Sequence, residues 1–206
     1  MSNVWFTSDT HFGHKNIVRG CSKWENKDEC RDFPSVEEHD AYIIDQINKR
    51  VKPQDTLYHL GDIAWKDRFK TLREQIRCEH IVLILGNHDR DIEEREDLRS
   101  LFCRVEKLCF VKIAGRMMTL CHYAMKTWLW QHRLSVHLYG HSHGSLPDDP
   151  DSLSLDVGVD TNLYGHERYT PYSVEEVFDI MDRHKRFVPI DHHVATDSTP
   201  RCHPGV

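Results

Sequence analysis

The chain has 206 residues, 33 acidic against 27 basic, for a formal net charge of −6. This length suits one domain with a core large enough to need no disulfides, and the acidic balance argues against an extended nucleic-acid surface, which needs a broad Lys/Arg face. No apolar run approaches a membrane span, Met1-Ser2-Asn3-Val4-Trp5 carries no basic leader, and the seven cysteines (Cys21, Cys30, Cys78, Cys103, Cys109, Cys121 and Cys202) show no C-x-x-C spacing, so a cytoplasmic protein with reduced thiols and no membrane contact is expected.

Val4-Trp5-Phe6-Thr7 reads as a buried strand that ends on Ser8-Asp9-Thr10-His11. The polar, irregular residues 12–34, with Gly13, Gly20 and Pro34, leave directly from that segment and are expected to border any site it forms. Ser35-Val36-Glu37-Glu38 has capping-box form, and Ala41, Ile44, Ile47 and Val51 recur at helical spacing until Pro53, which predicts a helix over 35–52. A second buried strand, Thr56-Leu57-Tyr58-His59-Leu60, ends on Gly61-Asp62, and Phe69, Leu72 and Ile76 predict a helix within 66–78. A third strand, Ile81-Val82-Leu83-Ile84-Leu85, ends on Gly86-Asn87-His88-Asp89 and precedes a helix predicted over about 92–102; the alternation indicates βαβ units. Between 105 and 121, short apolar runs around Ala114-Gly115-Arg116 read as a hairpin that leads to Cys121-His122. Strands are expected around Val136–Tyr139, before Gly140-His141-Ser142-His143, and over 153–159, while Ser173-Val174-Glu175-Glu176 caps a last helix to about 184. Residues 1–188 are taken as one domain and 189–206, polar with Pro189, Pro200 and Pro204, as a flexible tail; Asp191-His192-His193 in it is a weak metal-binding pattern.

Of the 16 histidines, His39, His80, His132, His166 and His184 have no ligand spacing and read as exposed or hydrogen-bonded. The others of interest stand at strand ends, where open α/β sheets bind ligands. One Asp after a strand is usually a turn or cap, and one His beside Cys121 is usually packed core; only the ensemble of Asp and His marks a site. Asp9 and His11 differ by two positions, so an extended backbone would turn both to one side.

The order and spelling of these segments resemble the calcineurin-like metallophosphoesterase family, whose pattern is D-x-H, G-D, G-N-H-[DE], a lone H and G-H-x-H. The resemblance covers residues 4–143, and Leu155-Asp156-Val157-Gly158-Val159-Asp160 extends it. It implies an α/β fold of two packed mixed β-sheets flanked by helices, an α/β/β/α sandwich. It also implies two divalent metal ions: Asp9, His11 and His143 would hold one, Asn87, His122 and His141 the other, and Asp62 would bridge them about 3.5–4 Å apart. Two cations bring about +4 and Asp9, Asp62 and a bridging hydroxide remove about 3, which leaves a positive site for phosphate. Imidazole, carboxylate and amide ligands suit Mn, Fe, Zn, Ni or Co, and the resemblance favours Mn. Hydrolysis of a phosphoester by the bridging hydroxide is implied, with His88 as the non-ligand histidine that stabilises phosphoryl charge or protonates the leaving oxygen and Asp89 as support for the ligand-bearing turn.

His14, Asn16, Arg19 and Arg90 are candidate substrate contacts, and Trp65, Tyr123 and Trp128 either stack on a base or sugar or serve as packing. Protein-phosphatase members of the family carry G-D-x-x-D-R-G; here Trp65 and Lys66 stand where those have Asp and Arg, and Asp67-Arg68 follow two residues late. The chain is more similar to the small stand-alone members of bacteria and phages. The expected activity is a phosphodiesterase on a small nucleotide-like phosphoester, with a phosphomonoesterase, an exonuclease-type nuclease and a non-catalytic metal-binding scaffold as alternatives. Oligomeric state is not readable from the residues.

Overall fold

The computed structural model describes residues 2–65 and 68–184, and the apolar runs decide its layers. β1 (Val4–Thr7), β2 (Thr56–His59), β3 (His80–Ile84) and β4 (Arg104–Glu106) pair in parallel, and β9 (Tyr172–Ser173) adds antiparallel to β1, in the order β4-β3-β2-β1-β9. The second sheet has the order β5-β6-β7-β8, from β5 (Leu108–Ile113), β6 (Arg116–Cys121), β7 (Val136–Tyr139) and β8 (Ser154–Asp156), with β5 and β6 antiparallel and the rest parallel.

Strand periodicity divides the core in two. Trp5, Leu57, Ile81 and Leu83 face a layer that includes Ile43, Ile44 and Ile47 of α1 (Val36–Arg50) and Phe69 and Leu72 of α2 (Phe69–Gln75). The alternate residues Phe6, Tyr58, Val82 and Ile84 pack with Met118, Leu120, Val136, Leu138 and Leu155 of the second sheet. Burial on both faces explains why these strands are unbroken apolar runs, and the expected pair of packed sheets with helices outside forms.

The capping residues act as read: the Ser35 side chain accepts from Glu38 N at 3.2 Å, and Ser173 and Glu176 form a full capping box at α5 (Val174–Met181). The helix expected over 92–102 is instead two short ones, α3 (Arg90–Glu94) and α4 (Glu96–Arg99), separated by an extended Arg95 (φ −118°, ψ 114°). In one continuous helix Ile92 and Leu98 would point about 120° apart; the break lets both reach the core. Val105 is not part of the hairpin, because β4 pairs with β3 in the first sheet. The hairpin itself is β5 and β6, turned through Ala114 and Gly115 at positive φ.

Among the described residues the cysteines are free, and no helix is long and apolar enough to cross a membrane. Cys202, the expected tail over 189–206 with Asp191-His192-His193, and Lys66 lie outside the described residues.

Candidate metal centre

The C-terminal ends of β1, β2 and β3 are laced together: Asp9 N donates to Gly61 O at 2.9 Å, His11 N to Asp62 O at 3.0 Å and His88 N to Asp62 Oδ1 at 2.8 Å. The ends of β6 and β7 meet the same way, Gly140 N donating to His122 O at 3.0 Å, and Val159 N donates across to Ser8 O at 3.1 Å. Two ligand-like groups result. Asp9, His11 and His143 form one and Asp62, His122 and His141 the other, each with its donor atoms within 4.8 Å of one another. Asp62 Oδ2 lies 3.6 Å from His11 Nε2 of the first group and 3.6 Å from His122 Nε2 of its own. Asn87 Oδ1 joins the second group 3.1 Å from His122 Nε2.

The backbone at this centre departs from regular strand. Asp9, His11, Asp62, His141 and His143, five of the seven expected ligands, have positive φ between 49° and 68°, a left-handed region costing an L-residue about 1–2 kcal/mol. The alternation expected for Asp9 and His11 is therefore not what aims them; each is turned by a left-handed torsion after the strand has ended. The motif glycines have a steric origin. A Cβ at Gly86 would lie 2.2 Å from Asp62 Oδ1, and one at Gly140 would lie 2.3 Å from Asp9 Oδ2, so only glycine admits a carboxylate this close to the neighbouring turn.

The donor set fits cations. Asp9 is fully buried and its Oδ1 has no hydrogen-bond partner, while Oδ2 accepts from His141 N at 2.9 Å. His122 Nδ1 is committed to the Leu60 carbonyl at 2.7 Å, so in the neutral ring Nε2 presents a lone pair to the Asn87 carbonyl oxygen, another acceptor. His143 Nδ1 is likewise committed to Asp160 Oδ2 at 2.7 Å, which leaves its Nε2 3.3 Å from His11 Nε2. Lone pairs converging this closely call for a cation or a proton between them. Without a metal, burial pushes the Asp9 carboxyl up to about 7, and burial with the nearby Arg31 charge pushes His11 well down. Burial opposes the His143 imidazolium, but the Asp160 and Asp9 carboxylates outweigh it and raise its pKa.

Three polar residues hold the donors in place. Arg31, 2% exposed, grips Asp160 through Nε (2.9 Å) and Nη2 (2.7 Å), donates to the carbonyls of Asp9 and Thr10, and meets His39 Nε2 at 2.9 Å. Burial works against the Asp160 carboxylate, yet the Arg31 charge and the His143 bond hold its pKa far below the usual range. Asp89, fully buried, accepts from Asp62 N (2.7 Å), Ile63 N (3.1 Å) and Gly86 N (2.8 Å), so it joins the second and third segments as the expected support. Asp156 steadies the turn after β7 by accepting from Ser142 Oγ (3.0 Å) and Gly144 N (3.1 Å). Nothing in the sequence marks Arg31 for the site: it sits in the irregular stretch before Pro34, and its partner Asp160 is 129 positions away.

Around the centre, His88 Nε2 stands 3.9 Å from Asp62 Oδ2 with its side chain 38% exposed, and His88 N donates to Asp62 Oδ1 at 2.8 Å. His14 stacks on Trp65 at 4.4 Å and lies 5.6 Å from the His11 ring. Asn16 is near but engaged, its Oδ1 accepting from Lys23 N at 3.2 Å. Arg90 lines a cavity of about 690 Å³ with Asn87, Lys107 and Tyr123, although its Nε is paired with Glu94 at 2.7 Å. The Arg19 side chain faces Asp32 at 3.4 Å, and among the described residues no side-chain hydrogen bond or ion pair joins it to the centre. Tyr123 is at the rim, 4.8 Å from the His141 ring, whereas Trp128 packs on the inter-sheet core and donates to Ser135 O.

The sequence profile of the calcineurin-like phosphoesterases matches residues 2–167. An uncharacterized protein of Methanocaldococcus jannaschii is 27% identical over 193 residues, covering 90% of this chain and 94% of that one. The gene 66 protein of Mycobacterium phage L5 is 37% identical over 110 residues, 49% of this chain and 46% of the phage protein. Among solved structures, a protein of unknown function from Aquifex aeolicus superposes with a TM-score of 0.60 at 22% identity, over 87% of this chain and all of that one, a likeness of fold.

Proposed function

We propose, for a chain that belongs to the calcineurin-like phosphoesterase family and is a metal-dependent phosphoric ester hydrolase, that its reaction is the hydrolysis of a nucleotide-like phosphodiester at a dinuclear centre. Asp9, His11 and His143 would hold one ion, Asn87, His122 and His141 the other, with Asp62 between them and Mn as the native metal. The observation that carries this reading is Asp62 Oδ2, 3.6 Å from a ring nitrogen of each group, opposite a buried Asp9 oxygen that has no partner of its own. When bound, two divalent cations supply charge to the phosphoryl oxygens and a nucleophilic water at neutral pH.

The chain's own groups do the rest. His88, half-exposed beside Asp62, donates the Nε2 proton to the leaving oxygen as its bond to phosphorus breaks and the water oxygen bonds to phosphorus, while the proton the water loses passes to solvent, which reprotonates His88. Leu60 O and Asp160 fix the His122 and His143 rings, so that Nε2 of each faces the other donors of its group. The diester choice is supported by the sequence, in which Trp65 and Lys66 stand where a protein phosphatase has its supporting Asp and its phosphate-binding Arg. A dianionic monoester then lacks one clamp and gains little over a monoanionic diester.

The test is kcat/KM in Mn for bis-aryl and mono-aryl phosphates sharing one leaving group, beside 2′,3′- and 3′,5′-cyclic nucleotides. Diesters are expected to be competitive substrates. A monoester preference above about a hundredfold, some 2.7 kcal/mol of transition-state discrimination, overturns the diesterase reading and installs phosphomonoesterase in its place.

A further inference from the structure

One flank of the centre carries more positive charge and aromatic surface than a single phosphoryl group uses. A cavity of about 510 Å³ is lined there by His14, Lys15, Asn16, Lys23, Trp65 and Arg68, with no carboxylate among the described residues of its wall. In a protein of net charge −6, three cations around one cavity repel one another until an anion enters. Among the described residues no carboxylate lies within ion-pair distance of Lys15 or Lys23, and Arg68 meets Glu37 only loosely at 3.8 Å.

The cavity is joined to the centre through His14. That ring stacks on Trp65 at 4.4 Å and 16°, and it also stands 5.6 Å from His11 and 6.4 Å from His88. A ligand in the cavity is thus one imidazole ring from His11 and His88 of the centre. In a nucleotide chain the neighbouring phosphate is one sugar away, and the base beside it presents a flat face of the kind that indoles stack on.

We propose that this cavity is a subsite for a second, non-reacting phosphate and its base, so that the preferred substrate carries phosphate on both sides of one nucleoside. The inference rests on the diesterase reading above and selects within it: the substrate is a dinucleotide or strand end, and a cyclic mononucleotide leaves the subsite unfilled. Lys15 and Lys23 supply charge to the second phosphate. Trp65 supplies the stacking surface.

Calorimetric titration of the Mn-loaded protein with adenosine 3′,5′-bisphosphate, adenosine 3′-monophosphate and adenosine 5′-monophosphate tests this without requiring turnover. The bisphosphate is expected to bind at least tenfold more tightly than either monophosphate. The advantage should shrink as salt rises and disappear in Lys15→Ala/Lys23→Ala, whose exposed side chains are not part of the core. Trp65→Leu should weaken the bisphosphate about tenfold. Equal affinity for the three ligands, or an advantage that survives the double lysine change, overturns the subsite. Tight bisphosphate binding by a protein that cleaves no phosphodiester would refute the diesterase reading alone, whereas hydrolysis of bis-aryl phosphates without any bisphosphate advantage would refute the subsite alone.

Discussion

Replacing Arg31 by Met should unfold the metal-free protein far more readily than any surface change, because the guanidinium balances a buried charge. Asp160 has an 8% exposed side chain, and its two oxygens are spaced 2.9 and 2.7 Å from Arg31. Removing one partner of a buried ion pair costs about 3–5 kcal/mol, and the Asp9 and Thr10 carbonyls also lose a donor. Against a typical total of about 5–15 kcal/mol, that is a large share. Asp160→Asn in the same chain removes the stranded charge, so Arg31→Met/Asp160→Asn should lose less than the sum of the single changes, by roughly 2 kcal/mol as contacting residues do. The sign with pH is also determined. The Asp160 pKa is depressed on folding, so its contribution is full above the unfolded value, about 3.9, and is lost as pH falls below it. The stability of the wild type should therefore decline as pH falls below about 4. Urea unfolding in chelator, followed by far-UV circular dichroism, measures all of this. A loss under about 1 kcal/mol for Arg31→Met, or strictly additive losses in the double variant, would refute the reasoning.

Asp62→Asn should reduce bound metal from two ions to one or none and abolish turnover, since Oδ2 faces both groups; two ions retained by elemental analysis would rule out the bridging role. His88→Asn is expected to keep its metal while turnover falls by about 10²–10⁴-fold on substrates with poor leaving groups, and loss of metal in that variant would make His88 a ligand or structural residue. Burial pushes the Asp9 carboxyl up to about 7 in the metal-free protein, so below that pH metal uptake must displace a proton. Apparent Mn affinity should rise with pH up to about 7, and calorimetric heats should depend on the buffer's ionisation enthalpy; heats independent of buffer would exclude the linkage.

What the residues revealed beforehand depends on how local each feature is. Val4-Trp5-Phe6-Thr7 and Ile81-Val82-Leu83-Ile84-Leu85 announce themselves because a strand buried on both faces has to be apolar throughout. β4 does not, since two of its three residues, Arg104 and Glu106, are charged at the sheet's edge. The clustering of Asp9, Asp62, Asn87 and His141 was legible because parallel strands deliver their ends to one place. How they are aimed was not, because positive φ at Asp or His leaves no trace in composition. Arg31 was invisible for another reason: a buried ion pair between residues 129 apart has no periodicity, and an Arg between Cys30 and Asp32 reads as ordinary loop polarity. Arg19, an equally plausible loop cation, turned instead to Asp32.

The left-handed torsions also bear on transplantation. A designer who copied Asp, His and Asn onto the strand ends of another sheet would reproduce the donor inventory but would inherit extended backbone, which sends alternate side chains to opposite faces. The part that must travel with the donors is the set of tight turns at Asp9, His11, Asp62, His141 and His143, together with glycines at 86 and 140 that give the carboxylates room. The smallest portable unit of this centre is therefore a group of interlocked loops, and a list of seven side chains is not enough to rebuild it.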